Sequence, residues 1–512
     1  MTKSFKNSES TTLDPEDWDD LRQQGHRMLD DMLDYLQHIR QRPVWQAAPP
    51  ETRMIFHAGL PQQPSELNAV HQQFMQSILP YAVGNTHPGF MGWVHGGGTA
   101  VGMLAEMLSA GLNANLGGRN QIPVEVERQV TRWMRDLFGF PEGASGLFVT
   151  GTSMAHLMAV WVARIKFCGL DVRRDGLPQT AHNLIAYASS ATHGSFAKAL
   201  DLAGLGAMCL RSVPMNEFEV IDLKALDAMI QADQQAGLQA FMIVGNAGTV
   251  DAGAIDPLEA LAHRATQCGA WFHVDGALGA LGMFSPEIAP RLKGIELADS
   301  IAFDFHKWGQ VPYDAGFVLM RDGVLHQRTF ASPAAYLRRE EDGLASDSPW
   351  PCDFGPDLSR GFRALKTWFT LQVYGAEKMG QSIAHTCAVA RYLGKLVVEA
   401  PDLELLVPVS LNIVCFRYVC ADADAVNAAI VVAIQNSGVA VPSTTTLGGK
   451  LSIRAAIVNH RTENKDVEIL VRAVCDWGKK LHGPSSLSDL KNRSEVVQAG
   501  KPQSGCSQNL AD

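Results

Sequence analysis

Between about Gly97 and Arg321 the chain alternates two kinds of apolar pattern. Apolar residues at three- and four-residue spacing predict helices over 99–112, 125–138, 153–167, 222–236 and 257–268. Short continuous apolar runs predict strands over 184–188, 207–213, 240–245, 270–274, 300–303 and 316–321, with a further strand-like run at 147–149. Strands that alternate with helices call for a mostly parallel sheet covered on both faces. Such sheets bind ligands beyond the carboxyl ends of their strands.

The flanks read differently. Asp14, Pro15 and Glu16 signal a helix start, and Leu21, Met28, Leu29, Met32, Leu33 and Leu36 share one face of a helix running to about Arg40. That helix looks like an arm packed on another body. Residues 331–360 are rich in Pro, Asp and Ser with little periodicity, and a loop so long in a compact domain is usually a functional lid. A long helix from about Arg363 leads to a smaller α/β unit. The organisation expected is a mobile N-terminus (1–13), an arm and dimer-contacting segment (14–96), a large domain (97–380), a small C-terminal domain (381–482) and a mobile tail (483–512).

Composition narrows the class. With 46% hydrophobic and 19% charged residues the chain is an ordinary globular protein of 512 residues, long enough for two or three structural units. A net charge of −10 argues against nucleic acid as the main partner. Nine cysteines without CxxC spacing fit reduced thiols in the cytoplasm better than disulfides or a zinc site, so no metal is expected. No signal peptide or membrane-spanning run is visible.

The chemistry concentrates at two strand ends. Lys307 lies in DSIAFDFHKWG, and Asp275 closes AWFHVD. A lysine in a dry pocket at a strand end becomes a nucleophilic amine. Paired with a buried acid, it suggests pyridoxal phosphate. That cofactor needs a Schiff-base lysine, a carboxylate at its ring nitrogen, a flat group over the ring and donors for its phosphate. Lys307 and Asp275 are candidates for the first two. His193, after the strand 184–188, is a candidate ring cover. Thr152 and Ser153 open a helix, where free N–H groups and hydroxyls make an anion site, and His306 could reach the same phosphate. Each signal has a bland reading: a GTS before a helix is more often a plain cap, an acid at a strand end usually caps, and a lone lysine is usually at the surface. The four elements in workable order on one sheet edge carry the assignment.

At these residues the chain resembles the pyridoxal-phosphate-dependent group II amino-acid decarboxylases, which include aromatic-amino-acid and glutamate decarboxylases. HPGFMG (87–92), AGTVDAGAIDP (247–257), HVDGALGA (273–280), FHKWGQVPYDAG (305–316) and RGFRALKTWFTLQVYG (360–375) carry the likeness. The resemblance implies an aspartate-aminotransferase-like (fold type I) α/β architecture and a homodimer, with residues 14–40 and 95–98 as cross-subunit contacts. It implies catalytic roles for Lys307, His193 and Asp275. It also implies cofactor contacts from Thr152, Ser153, Thr249, Ala277 and His306. The substrate implied is an L-amino acid, a small molecule, decarboxylated to an amine and CO2.

The departures from the family pattern bear on the product. Gly276 and Leu278 replace a common alanine and aromatic, and His95 with three glycines replaces a more aromatic wall. Asp304 stands where the family often has asparagine, and is expected to be solvated or bonded away from the phosphate. The lid stretch 337–361 has no tyrosine; Trp350 and Phe354 lie there, and Tyr336 comes early. In the resembled family a lid without tyrosine accompanies oxidative conversion to an aldehyde, so an aldehyde synthase is the first rival. An aminotransferase using Arg454 for the substrate carboxylate, and a catalytically silent relative, are the others.

Overall fold

The computed structural model describes residues 12–332 and 339–482. The expected mobile ends lie almost wholly, and Tyr336 wholly, outside those residues. The large sheet has seven strands: β1 Ser145–Val149, β2 Leu184–Ser189, β3 Leu210–Val213, β4 Gln239–Asn246, β5 Trp271–Asp275, β6 Ser300–Asp304 and β7 Gly316–Met320. Their order is β1-β7-β6-β5-β4-β2-β3, and β7 alone runs against its neighbours. The strands from β5 to β7 are buried at every position, so helices cover both faces as the continuous apolar runs require.

Helix Thr152–Cys168 covers one face and helices Ile122–Leu137 and Leu258–Cys268 the other. A smaller antiparallel sheet follows: β8 Leu403–Leu405, β9 Ile413–Tyr418, β10 Ser443–Leu447 and β11 Lys450–Ala456, in the order β10-β11-β9-β8. It packs against helices Ala423–Ser437 and Asn464–Leu481 around a core that includes Val414, Phe416, Ile430 and Leu470.

Three expectations shift. The run 207–213 begins as a 3₁₀ turn (Ala207–Cys209), because Gly206 sits at φ 80° and Met208 faces solvent; only Leu210–Val213 pairs. The arm helix is Trp18–Gln37, capped not by Asp14 but by Asp17, whose carboxylate accepts from the N–H groups of Asp19 and Asp20. The boundary expected at 380/381 falls inside one helix, Arg363–Glu399, interrupted at Gly375 with φ 72°.

Candidate active site

Three parallel strands end side by side and their last residues face one cleft of about 380 Å³, lined by Asn246 (β4), Asp275 (β5) and Asp304 (β6). The chain leaves β6 through His306 and Lys307, which line the same cleft. Gly96 makes this loop possible to cover: a side chain there would lie 2.5 Å from the carbonyl oxygens of His306 and Lys307. Its N–H donates to His306 O (3.1 Å), and Gly97 N–H donates to Gln310 Oε1 (3.0 Å). Gly96 and Gly97 of segment 95–98 thus pack on their own chain's lysine loop.

Lys307 Nζ lies 2.8 Å from Asp304 Oδ2, and its side chain is 22% exposed. The dry pocket expected around the lysine is thus corrected: a carboxylate stands beside it. Asp304 is likewise corrected, because it is buried rather than solvated, and its other oxygen accepts Thr152 N–H (2.8 Å). Burial opposes its charge, but Lys307 and His306 prevail and hold its carboxyl below the ordinary range.

Asp275 is equally buried. Ala277 N–H donates to its Oδ1 (3.1 Å), and His156 Nε2 lies 3.6 Å from its Oδ2. Burial pushes its carboxyl up, but the charge of His156 and these hydrogen-bond donors outweigh it, leaving the group well below the usual range. An ionised acid at this place can hold a proton on a ring nitrogen. His193 lines the cleft with Nδ1 bonded to Ser195 Oγ (2.7 Å); burial and the Lys307 charge lower its imidazole despite Asp275.

The anion end is built from helix Thr152–Cys168, whose N-terminus opens into the cleft with Thr152 and Ser153. Thr152 Oγ1 is buried and has no partner. His306 Nδ1 accepts Ala315 N–H (3.0 Å), which leaves its proton on Nε2, and burial pushes its pKa down to about 4. An orphaned buried hydroxyl, an imidazole N–H and a helix N-terminus together fit a phosphate. Ala277 also lines the cleft. Thr249 does not: its hydroxyl accepts Ala254 N–H (3.1 Å) within a buried turn, so the cofactor contact expected of it is not formed by that group.

Among the cleft residues that sequence reasoning missed, His156 and Tyr313 matter most. His156 follows Thr152 by one helical turn, so a polar residue at that spacing was the available signal. Tyr313 lies tilted against His306 (4.2 Å between ring centroids, 32° between planes) and lines the cleft; its phenol is raised by burial and then by Asp304, so it keeps its proton. Trp350 and Phe354 do not line the cleft. Trp350 is enclosed by Arg339 and Arg119, and Phe354 packs on His326. Arg454 does line it, but its guanidinium donates to the carbonyls of Gly92 and Val250 (2.7 and 2.6 Å).

Comparison with known proteins agrees with this geometry. Residues 49–419 match the family model of the pyridoxal-dependent decarboxylase conserved domain. The chain belongs to that family. The decarboxylase is 31% identical over 460 residues to an aromatic-L-amino-acid decarboxylase of Bacillus atrophaeus, covering 88% of this chain and 93% of that one. It is 29% identical over 483 residues to a phenylacetaldehyde synthase of Arabidopsis thaliana, covering 91% and 97%. Among solved structures, an Oryza sativa TDC with PLP and tryptamine superposes with a TM-score of 0.84 at 25% identity, covering 92% and 100%. The fold is therefore fold type I, the cofactor is pyridoxal phosphate, and the reaction is decarboxylation of an L-amino acid.

Proposed function

We propose that the enzyme decarboxylates an aromatic L-amino acid to its amine. The observation that carries this reading is the row of rings at the cleft wall. Trp93 and His95 stack (6.5 Å), and His95 meets the edge of Tyr313 (5.9 Å). A flat apolar side chain gains more from such a wall than an acidic one would. An acidic side chain would need a free cation. The cations lining the cleft are Lys307 and Arg454, and both are already engaged. The same engagement argues against an aminotransferase built on Arg454.

When bound, pyridoxal phosphate supplies an aldehyde for amine capture and a ring that accepts the electrons left by departing CO2. Lys307 would give the amine that holds the aldehyde, Asp275 would keep the ring nitrogen protonated, and His193 and Ala277 would flank the ring. Thr152, Ser153 and His306 would hold the phosphate. The carbon that loses CO2 then needs a proton. Tyr313 Oη and the His193 imidazole are the donors at the cleft wall, and their presence favours amine over aldehyde.

The second reading is an aldehyde synthase. It is favoured by the similarity to phenylacetaldehyde synthase and by the absence of tyrosine from residues 339–360. There O2 would be reduced to H2O2 while CO2 and ammonia leave. Purified holoenzyme given phenylalanine, tyrosine, tryptophan and glutamate separates these readings. Amine equal to CO2 from an aromatic substrate supports the first; peroxide and aldehyde equal to CO2 establish the second; glutamate turnover alone overturns the aromatic assignment.

A homodimer is part of the proposal. None of the residues of Trp18–Gln37 is buried, and Met54, Phe56, Met107 and Leu112 expose half or more of their surface, as a partner's contact face would. All eight cysteines among the described residues are free thiols, which supports a cytoplasmic setting. Sedimentation at micromolar concentration tests the dimer.

A further inference from the structure

Below the cleft, side chains from three elements meet in one line. Asp275 ends β5, His156 lies in the second turn of helix Thr152–Cys168, and Ser195 opens helix Ser195–Leu202 just after His193. The separations are 3.6 Å from Asp275 Oδ2 to His156 Nε2, 3.3 Å from His156 Nδ1 to Ser195 Oγ, and 2.7 Å from Ser195 Oγ to His193 Nδ1. His156 is fully buried.

The proton positions follow from the donors. Ser195 N–H donates to His193 Nδ1 (3.2 Å), so that nitrogen is an acceptor and carries no proton. The Ser195 hydroxyl, facing the same nitrogen, must also donate to it. Its oxygen is then left to accept from His156, which places a proton on His156 Nδ1. The other nitrogen of His156 faces an ionised carboxylate. A bare lone pair there would repel Asp275, whereas a second proton makes an ion pair in a buried setting.

The remaining neighbours of His156 do not compete for the charge. His273 packs edge-on at 5.2 Å; its Nδ1 shares a hydrogen bond with Ser300 Oγ (2.8 Å), which also accepts Trp271 Nε1–H (2.7 Å), and burial pushes the imidazole down to about 3, so that ring stays neutral. Phe196 presents a ring at 5.8 Å. Asp275 is the carboxylate facing His156, and Lys307 and His193 stand across the cleft.

We propose that His156 is an imidazolium in the working enzyme, and that His156 and Ser195 are positioning residues that join Asp275 to His193, through an ion-pair contact at the Asp275 end and hydrogen bonds through Ser195 at the other. One end keeps Asp275 ionised where it faces the ring nitrogen. The other end fixes His193 with its proton on Nε2, the nitrogen that Ser195 leaves free. Neither residue needs to touch substrate to do this. The inference rests on the assignment of Asp275 to the ring nitrogen given above.

The test is ¹⁵N NMR of histidine-labelled enzyme near neutral pH, with and without cofactor, assigning His156 by its loss in His156→Gln and His193 by its loss in His193→Gln. Expected are two protonated nitrogens on His156 and a lone Nε2 proton on His193. Ser195→Ala should scramble the His193 tautomer, and Ser195→Thr, which restores a hydroxyl, should recover it. In His156→Gln kcat should fall by about tenfold or more, the equivalent of one unit of protonation equilibrium, with KM nearly unmoved. A neutral His156 ring, or a His193 tautomer indifferent to Ser195, overturns the relay while leaving the Asp275 assignment standing if Asp275→Ala still loses activity. Should Asp275→Ala behave as wild type, the assignment fails and the relay with it.

Discussion

The carboxyl edge of β4, β5 and β6 and the segment 339–362 approach the same function from opposite physical conditions. At the strand edge, Asp275 and Asp304 are buried carboxylates whose oxygens meet donors from the backbone, a lysine or a histidine. In the segment 339–362, the charged and aromatic side chains are used to hold the segment down. Arg360 forks onto Glu127 (2.6 Å) and the carbonyl of Phe148 (2.9 Å), and Arg339 lies over Trp350 at 3.4 Å while bonding Asp353 (2.8 Å). The difference teaches where reactivity is allowed. Strands hold adjacent side chains in fixed register, so buried charges can be matched donor by donor. A loop must first secure itself.

That contrast can be broken most directly at the lysine. Lys307→Ala should abolish both retention of the cofactor's absorbance after desalting and CO2 release; retained turnover would remove Lys307 from its place. Asp275→Ala should keep part of the cofactor but lower kcat on the order of 10²–10³-fold, the scale of losing one preorganised electrostatic group. On the loop side, Arg360→Ala strands Glu127, which is 3% exposed, and should destabilise the fold by about 3–5 kcal/mol in urea unfolding. A small change there would mean that the segment is not anchored through this pair.

Acid should act on the two regions unequally. Burial pushes His306 and His460 down to about 4, and His273 and His326 to about 3. The unfolded chain takes up these protons near pH 6.5, so between about 6.5 and 4 it binds more protons than the folded one. Stability is therefore full above that window and falls as pH drops through it. His273 and His306 lie on β5 and just after β6, whereas of these four His326 packs on Phe354 of the segment 339–362, so amide exchange should show the larger acid loosening at the strand edge and a smaller one beside Phe354. The smallest effect expected is Arg339→Ala, about 0.5–2 kcal/mol from a cation over Trp350, read as a shift in thermal midpoint.

Much of the fold was legible. Continuous apolar runs betray strands buried on both faces, and HVD and HKW mark two strand ends because the apolar run gives way to polar residues where the chain leaves the sheet for the cleft. The helix 363–399 was read as to its start but not its end, since Gly375 interrupts it without stopping it. Thr249 misled because its segment matches the family while its hydroxyl closes a local turn. Asp304, a departure from the family's asparagine expected to be solvated or bonded away from the phosphate, is instead buried, because Lys307 and Thr152 N–H reach its two oxygens and no local pattern shows their arrival.

By itself the sequence determined the parallel sheet, the cofactor class, and Lys307, Asp275 and His193 as residues of one edge. Those follow from local pattern and strand order. Only the tertiary structure decided that His156 stands beside Asp275, that Tyr313 lines the cleft, that Trp350 lies away from it, and that Arg454 lines it with its guanidinium taken up by backbone carbonyls. Their partners are far away in sequence, and a side chain's protonation and direction are set by whatever the fold brings within hydrogen-bond reach.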